Sequence, residues 1–88
     1  MNIVLIDDDQ LVCMSLKMIL EANEGIHVTA IGKDGSDALP LYREFHPDIL
    51  LMDIQMKPMN GLDAAEQILA EDKTARVLFL TTFSCAVI

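Results

Sequence analysis

Apolar residues along this chain fall into two kinds of pattern. Ile3-Val4-Leu5-Ile6, Ile49-Leu50-Leu51-Met52 and Val77-Leu78-Phe79-Leu80 are short unbroken runs. With no polar alternation they predict strands buried on both faces, the mark of a parallel sheet covered by helices. Ile26 to Ile31 alternates weakly and is rich in β-branched residues, which adds a second strand between the first and third runs. The stretches between have helical spacing. The first sets Leu11 or Val12, Ser15-Leu16, Ile19-Leu20 and Asn23 on an inner face and Lys17 and Glu21 on a polar one. Asp8 or Asp9 stands where an N-cap belongs and Gly25 where a helix stops. After a turn over Gly32 to Gly35, a helix from about Ser36 through Glu44 buries Ala38, Leu39, Tyr42 and Phe45. Pro40 falls about at the end of its first turn, where the missing N–H costs least. His46-Pro47 ends it, because a residue before proline avoids helical geometry. The third helix, Gly61 to Asp72, carries Leu62, Ala65, Ile68 and Leu69 on one face, and a last strand spans Arg76 to Thr82. Strand then helix, three times, then a strand, predicts an α/β fold with right-handed crossovers. The repetition is architectural; no sequence repeat, linker or low-complexity segment accompanies it.

The strand ends carry the chemistry. The first strand ends in Asp7-Asp8-Asp9, the third in Asp53, and the fourth in Thr81-Thr82. Ligands of open parallel sheets bind at the carboxyl ends of the strands. If the first and third strands are neighbours, about 4.8 Å apart, their carboxylates converge and repel, and one or more acquires a raised pKa. A hard divalent cation removes that repulsion. Mg²⁺ combines one or two carboxylates with waters and phosphate oxygens, and a hydroxyl at the fourth strand end could donate to a phosphoryl oxygen.

Size and charge narrow the function. Eighty-eight residues, 52% of them apolar, make one small domain with a feasible core. A net charge of -8 argues against nucleic-acid binding, since neutralising phosphates needs a basic face. Acidity alone commonly serves solubility, so the clustering is what matters. Cys13 and Cys85 make no metal spacing; Cys13 reads as packing, and Cys85 as a thiol that could be exposed. His27 reads as an edge-strand surface residue and His46 as a loop residue. Met1-Asn2 runs straight into a strand too short for a secretory or membrane segment, so the expectation is a cytoplasmic chain with reduced thiols and no membrane contact.

Together these residues resemble the receiver domain of bacterial two-component response regulators. The resemblance rests on Asp7-Asp8, Asp53, the Met56 to Gly61 loop and Thr81, and runs from Ile3 to Ser84. LTTF and LVCMSLKMILE are similar to the subfamily whose output domain is a DNA-binding helix-turn-helix. The resemblance implies a flavodoxin-like parallel sheet of strand order 2-1-3-4. It implies a phosphoacceptor rather than an enzyme, with Asp53 taking the phosphoryl group from a sensor histidine kinase or a small phosphodonor. Asp7, Asp8, Asp53 and the main-chain carbonyl of Gln55 would hold Mg²⁺, and Thr81 would be the switch hydroxyl.

Two features depart from the family pattern. Lys57 intervenes between Met56 and Pro58, where proline usually follows the methionine directly. The sequence stops at Ile88, roughly 30 residues short, the size of a further βα unit plus a helix. Absent with the fourth helix, fifth strand and fifth helix is the lysine that pairs with the phosphoryl group in the family; neither Lys57 nor Lys73 can be assigned that role. Ser84 to Ile88 also does not read like the usual acidic start of the fourth helix. The expectation is a single truncated receiver domain over residues 1–88, labelled weakly or not at all despite an intact Mg²⁺ site. A homo-oligomer would form through the unpaired Val77–Ile88 edge. The alternative is a dimerisation or decoy module that is never phosphorylated. A phosphatase with an aspartate nucleophile typically wants a carboxylate two residues on, where Gln55 stands, and a nucleotide-binding fold wants a glycine-rich loop after the first strand.

Overall fold

Strands joined by helical crossovers must run parallel, and here four of them do. The computed structural model describes residues 1–54 and 61–80. In chain order the elements are β1 (Asn2–Ile6), α1 (Gln10–Glu21), β2 (His27–Gly32), α2 (Gly35–Phe45), β3 (Ile49–Asp53), α3 (Gly61–Glu71) and β4 (Val77–Leu80). The sheet order is β2-β1-β3-β4, all pairs parallel, the flavodoxin-like order expected. β1 and β3 are central neighbours, with Ile3 opposite Ile49 and Ile6 opposite Met52. Among the described residues no helix is long and apolar enough to cross a membrane.

Alternation along the central strands divides the interior in two. Val4, Ile6, Leu50 and Met52 face α2 and α3, packing on Ala38, Tyr42, Ala64, Ala65 and Ile68. Ile3 and Leu5 point the other way, toward α1, where Cys13 is buried. An unbroken apolar run is what a strand covered on both faces requires.

Local signals set the helix ends. Asp9 is the N-cap of α1, its carboxylate accepting from the N–H groups of Leu11 at 3.0 Å and Val12 at 3.3 Å. Asp34 caps α2, accepting from the Ser36 N–H at 2.7 Å. His46 is no ordinary loop residue: it closes α2 in the left-handed region at φ 43, and its N–H donates to the Tyr42 carbonyl. His27 lies exposed on the edge strand β2, as expected.

Four expectations need correction. The inner face of α1 is Cys13 with the half-buried Leu16 and Leu20, whereas Leu11, Val12 and Ile19 face outward. A helix apolar on several sides gives a periodicity that fits more than one inner face, and the sheet selects one. In α3 the inner face is Gly61, Ala64, Ala65 and Ile68; Leu62 and Leu69 are exposed. Small residues won there because α3 approaches α2 closely. Pro40 stands in the second turn of α2, which began one residue early at Gly35, so the bond an N–H would make to the Ser36 carbonyl is missing. β4 is half open, with Leu78 and Phe79 exposed, and its expected continuation through Thr82 lies outside the described residues.

A half-buried polar link joins α2 to the turn after α3. The Tyr42 hydroxyl donates to the Asp72 carboxylate at 2.6 Å, while Thr74 donates to the other oxygen through its N–H and its hydroxyl. The Asp72 bond and burial push the Tyr42 hydroxyl up from 10.0 to about 12. The bonds from Thr74 and then Tyr42 hold Asp72 at about 2. Tyr42 is the sole tyrosine and the chain has no tryptophan, so its ionisation can be read directly by ultraviolet absorbance. We expect a midpoint near 12, falling toward 10 in Asp72→Asn. Because the folded value is raised, this stabilisation is complete below pH 10 and disappears as pH rises through 12. A wild-type midpoint at 10 would exclude the bond.

Candidate functional site

The site is assembled at the carboxyl ends of the two central strands. Ile6 opposite Met52 puts the next residues, Asp7 and Asp53, side by side where the strands leave the core. Both are buried, at 4% exposure, while Asp8 is exposed at the mouth. One carboxylate oxygen from each of Asp7, Asp8 and Asp53 lies within 4.8 Å of the others. Three of the five predicted site residues thus come together; Gln55 and Thr81 lie outside the described residues.

Backbone geometry fixes the first carboxylate. The Asp7 N–H donates to the Gly32 carbonyl at 3.2 Å, prolonging the β1–β2 ladder by one residue. Its side chain turns back to accept from the Asp9 N–H at 2.9 Å. That bond leads into the α1 cap, so one turn of chain both holds Asp7 and starts the helix. The Cys13 thiol donates to the Asp7 carbonyl at 3.6 Å, closing the turn from below.

Two groups here have shifted ionisation. Burial raises Asp7 above its ordinary 3.8; the Asp9 N–H opposes this, and the charges of Asp53 and Asp8 add to it. Burial, then the charges of Asp7, Asp9 and Asp8, raise the Cys13 thiol. A buried carboxylate beside two others is the electrostatic condition under which a divalent cation gains most. All three donors are hard oxygens, a set that suits Mg²⁺.

The second carboxylate is held from behind by α3. Gly61 donates its N–H to the Ile54 carbonyl at 2.9 Å. Its Cα approaches the chain so closely that an added Cβ would overlap the Asp53 carbonyl oxygen and lie 3.1 Å from the Ile54 Cα. The sequence places Gly61 where the loop meets the third helix but does not show its contact with Asp53; a glycine opening a helix soon after a site residue is the available signal.

Comparison with known proteins follows the same outline. Residues 3–87 match the family model described as response regulator receiver domain. The transcriptional regulatory protein LiaR of Bacillus subtilis is 39% identical over 82 residues, 93% of this chain and 39% of that protein. A protein-glutamate methylesterase/protein-glutamine glutaminase of Methanococcus maripaludis is 36% identical over 73 residues, 83% of this chain and 20% of that protein. Among solved structures, a LuxR-family two-component response regulator from Aurantimonas sp. SI85-9A1 superposes with a TM-score of 0.89 at 32% identity, over 98% of this chain and 64% of that one. The chain therefore spans about two fifths or less of these two curated relatives.

Proposed function

The chain belongs to the response regulator receiver family, and from that premise we propose that it accepts a phosphoryl group on Asp53 and passes the signal on as a change of conformation. The observation that carries this reading is the convergence of Asp7 and Asp8 on Asp53 at the carboxyl edge of the sheet. Receiver domains of this kind are phosphorylated by sensor histidine kinases, and a kinase is the proposed donor here. Cytoplasmic placement belongs to the same proposal, as do the Gln55 main-chain carbonyl as a further metal ligand and Thr81 as the switch hydroxyl. Output differs among the relatives: one is a transcriptional regulator, another a methylesterase. What they share with this chain is the receiver, so function at this site is signal reception, and a transcriptional output is proposed for what it controls.

In the proposed step a carboxylate oxygen of Asp53 attacks phosphorus. The bond from phosphorus to the donor nitrogen breaks, its electron pair leaves with the donor, and an acyl phosphate forms. A carboxylate is a weak nucleophile, so the rate must come from alignment and charge. β3 supplies alignment by ending at Asp53, and α3 buttresses the main chain behind it. Asp7 and Asp8 would hold Mg²⁺, which when bound neutralises charge on the phosphoryl oxygens.

The test is incubation with a small phosphodonor and Mg²⁺, read by intact mass. Any phosphoryl adduct that forms, however low its yield, should be single, depend on the metal and vanish in Asp53→Ala; labelling that survives Asp53→Ala would place the acceptor elsewhere. A second reading, an unphosphorylated module that pairs through the Val77–Ile88 edge, is favoured by the exposed Leu78 and Phe79 on the outermost strand β4. Only Val77–Leu80 of that edge is described. Mg²⁺ binding with no adduct would select it.

A further inference from the structure

Asp9 stands beside the candidate site without joining it. Its carboxylate lies outside the group formed by Asp7, Asp8 and Asp53, and one oxygen is turned onto the helix, accepting from the N–H groups of Leu11 and Val12. Its main chain is engaged too. The N–H donates to the Asp7 carboxylate at 2.9 Å, and the carbonyl accepts the first bond of α1, from the Cys13 N–H at 3.1 Å. Cys13 reaches back with its thiol to the Asp7 carbonyl. From Asp7 to Cys13 the chain thus closes on itself, with the Asp9 peptide at the centre of the circuit.

We infer that Asp9 is a positioning residue: by capping α1, its carboxylate holds in place the main-chain N–H that orients the Asp7 carboxylate in the cluster. The inference rests on reading that cluster as a cation site. Its physical basis is the junction at a helix start. Asp9 has extended dihedrals, φ -94 and ψ 107, while α1 begins at the next residue. A residue at such a junction keeps its geometry while its side chain satisfies the free N–H groups of the first turn. Without that side chain the first turn frays, and the Asp9 N–H can swing away from Asp7. Losing a group that orients a ligand from behind costs roughly tenfold or more in metal affinity.

Charge is the rival explanation. Asp9 is exposed and adjoins the cluster, so deleting its side chain also takes a negative charge from the neighbourhood. Two comparisons separate the effects. Asparagine caps a helix as well as aspartate does but carries no charge. Salt screens a surface charge but leaves the geometry of a bond alone.

Calorimetric titration of the whole chain with Mg²⁺, at low and high salt, tests it. The expected result is an affinity about tenfold weaker in Asp9→Ala at both salt concentrations, recovering to within about threefold of wild type in Asp9→Asn. Asp9→Gly also removes the side chain but is well tolerated at a helix start, so it shows the same loss should the alanine variant not fold. Asp72→Ala is the control. It too deletes one negative charge and a stabilising bond, but at the amino edge of the sheet, before β4 begins. It should melt lower with Mg²⁺ affinity within about twofold of wild type. An Asp9→Ala protein that melts lower yet binds Mg²⁺ like wild type overturns the proposal and leaves Asp9 a helix cap alone. So does an Asp9→Asn protein that loses as much as alanine, with the loss fading in salt. A wild type that takes up no Mg²⁺ fails differently: it removes the cation reading, and the positioning role with it.

Discussion

Gly61→Ala should destabilise the domain and loosen its candidate metal site together. Two effects oppose each other at this position. Alanine is the better helix former by about 1 kcal/mol, and Gly61 opens α3. Against that, the new methyl group would overlap the Asp53 carbonyl oxygen and press on the Ile54 Cα at 3.1 Å and the Asp53 carbonyl carbon at 3.2 Å. These are main-chain atoms held in the β3 ladder and cannot turn aside like the tip of a flexible side chain. Overpacking of this kind costs about 1–3 kcal/mol in ordinary cores, and the upper part of that range applies where the obstacle is backbone. The net expectation is a loss of about 2 kcal/mol, a fall of roughly 10 °C in melting temperature for a domain this size.

A merely structural role would end there. The displaced atoms, however, carry the Asp53 side chain, so Mg²⁺ affinity of the folded variant should also drop, by about tenfold as for other groups that orient a ligand. Calorimetric titration below the melting transition reads this separately. Gly25→Ala is the control: its φ of 87 imposes strain, but nothing lies within 4 Å and the site is distant. It should lose about 1–2 kcal/mol with metal affinity unchanged. A Gly61→Ala protein that melts higher than wild type would show that the main chain yields where we say it cannot.

Legibility from sequence followed the kind of signal each residue carries. β1 and β3 were readable because a four-residue apolar run ending in an acid leaves few alternatives in an α/β chain, and the meeting of Asp7 and Asp53 followed once the two strands were neighbours. Choosing Asp9 over Asp8 as the cap was not readable, because only the turn at Asp7 decides which carboxylate reaches the Leu11 N–H. The inner faces of α1 and α3 were misplaced for a shared reason. Periodicity weights large apolar residues, whereas close approach to a neighbouring element buries the small ones, Cys13 in α1 and Gly61, Ala64 and Ala65 in α3. Leucines and methionines then fall outside. Tyr42–Asp72 was likewise invisible, since it joins residues 30 apart in sequence through a contact that only the fold creates.

The cluster that makes the site also weakens the empty protein, and Asp7→Asn should expose the trade. Asparagine keeps the shape and still accepts from the Asp9 N–H, while its amide faces the Asp8 and Asp53 carboxylates instead of adding a third charge. Asp7 is raised above 3.8 by burial first, then by its acidic neighbours. A carboxyl raised on folding is most favourable at low pH and loses ground as pH climbs through its folded value, so at pH 7 its charge works against the fold. Removing it should stabilise the metal-free protein by about 1 kcal/mol, a gain that shrinks toward zero as pH is lowered below 3.8, where the wild-type group is neutral in both states.

Mg²⁺ reverses the order. At a hundred times its dissociation constant a bound ion would stabilise the wild type by about 2.7 kcal/mol, and a variant lacking one of the two buried carboxylates proposed to hold it should gain little at the same concentration. Melting curves of the two proteins against Mg²⁺ should therefore cross, the variant higher in chelator and the wild type higher in excess metal. If Asp7→Asn melted lower in chelator, the three carboxylates would not be repelling one another. If Mg²⁺ left the wild-type curve where it was, their convergence would serve no cation, and phosphoryl transfer to Asp53 would lose its electrostatic basis.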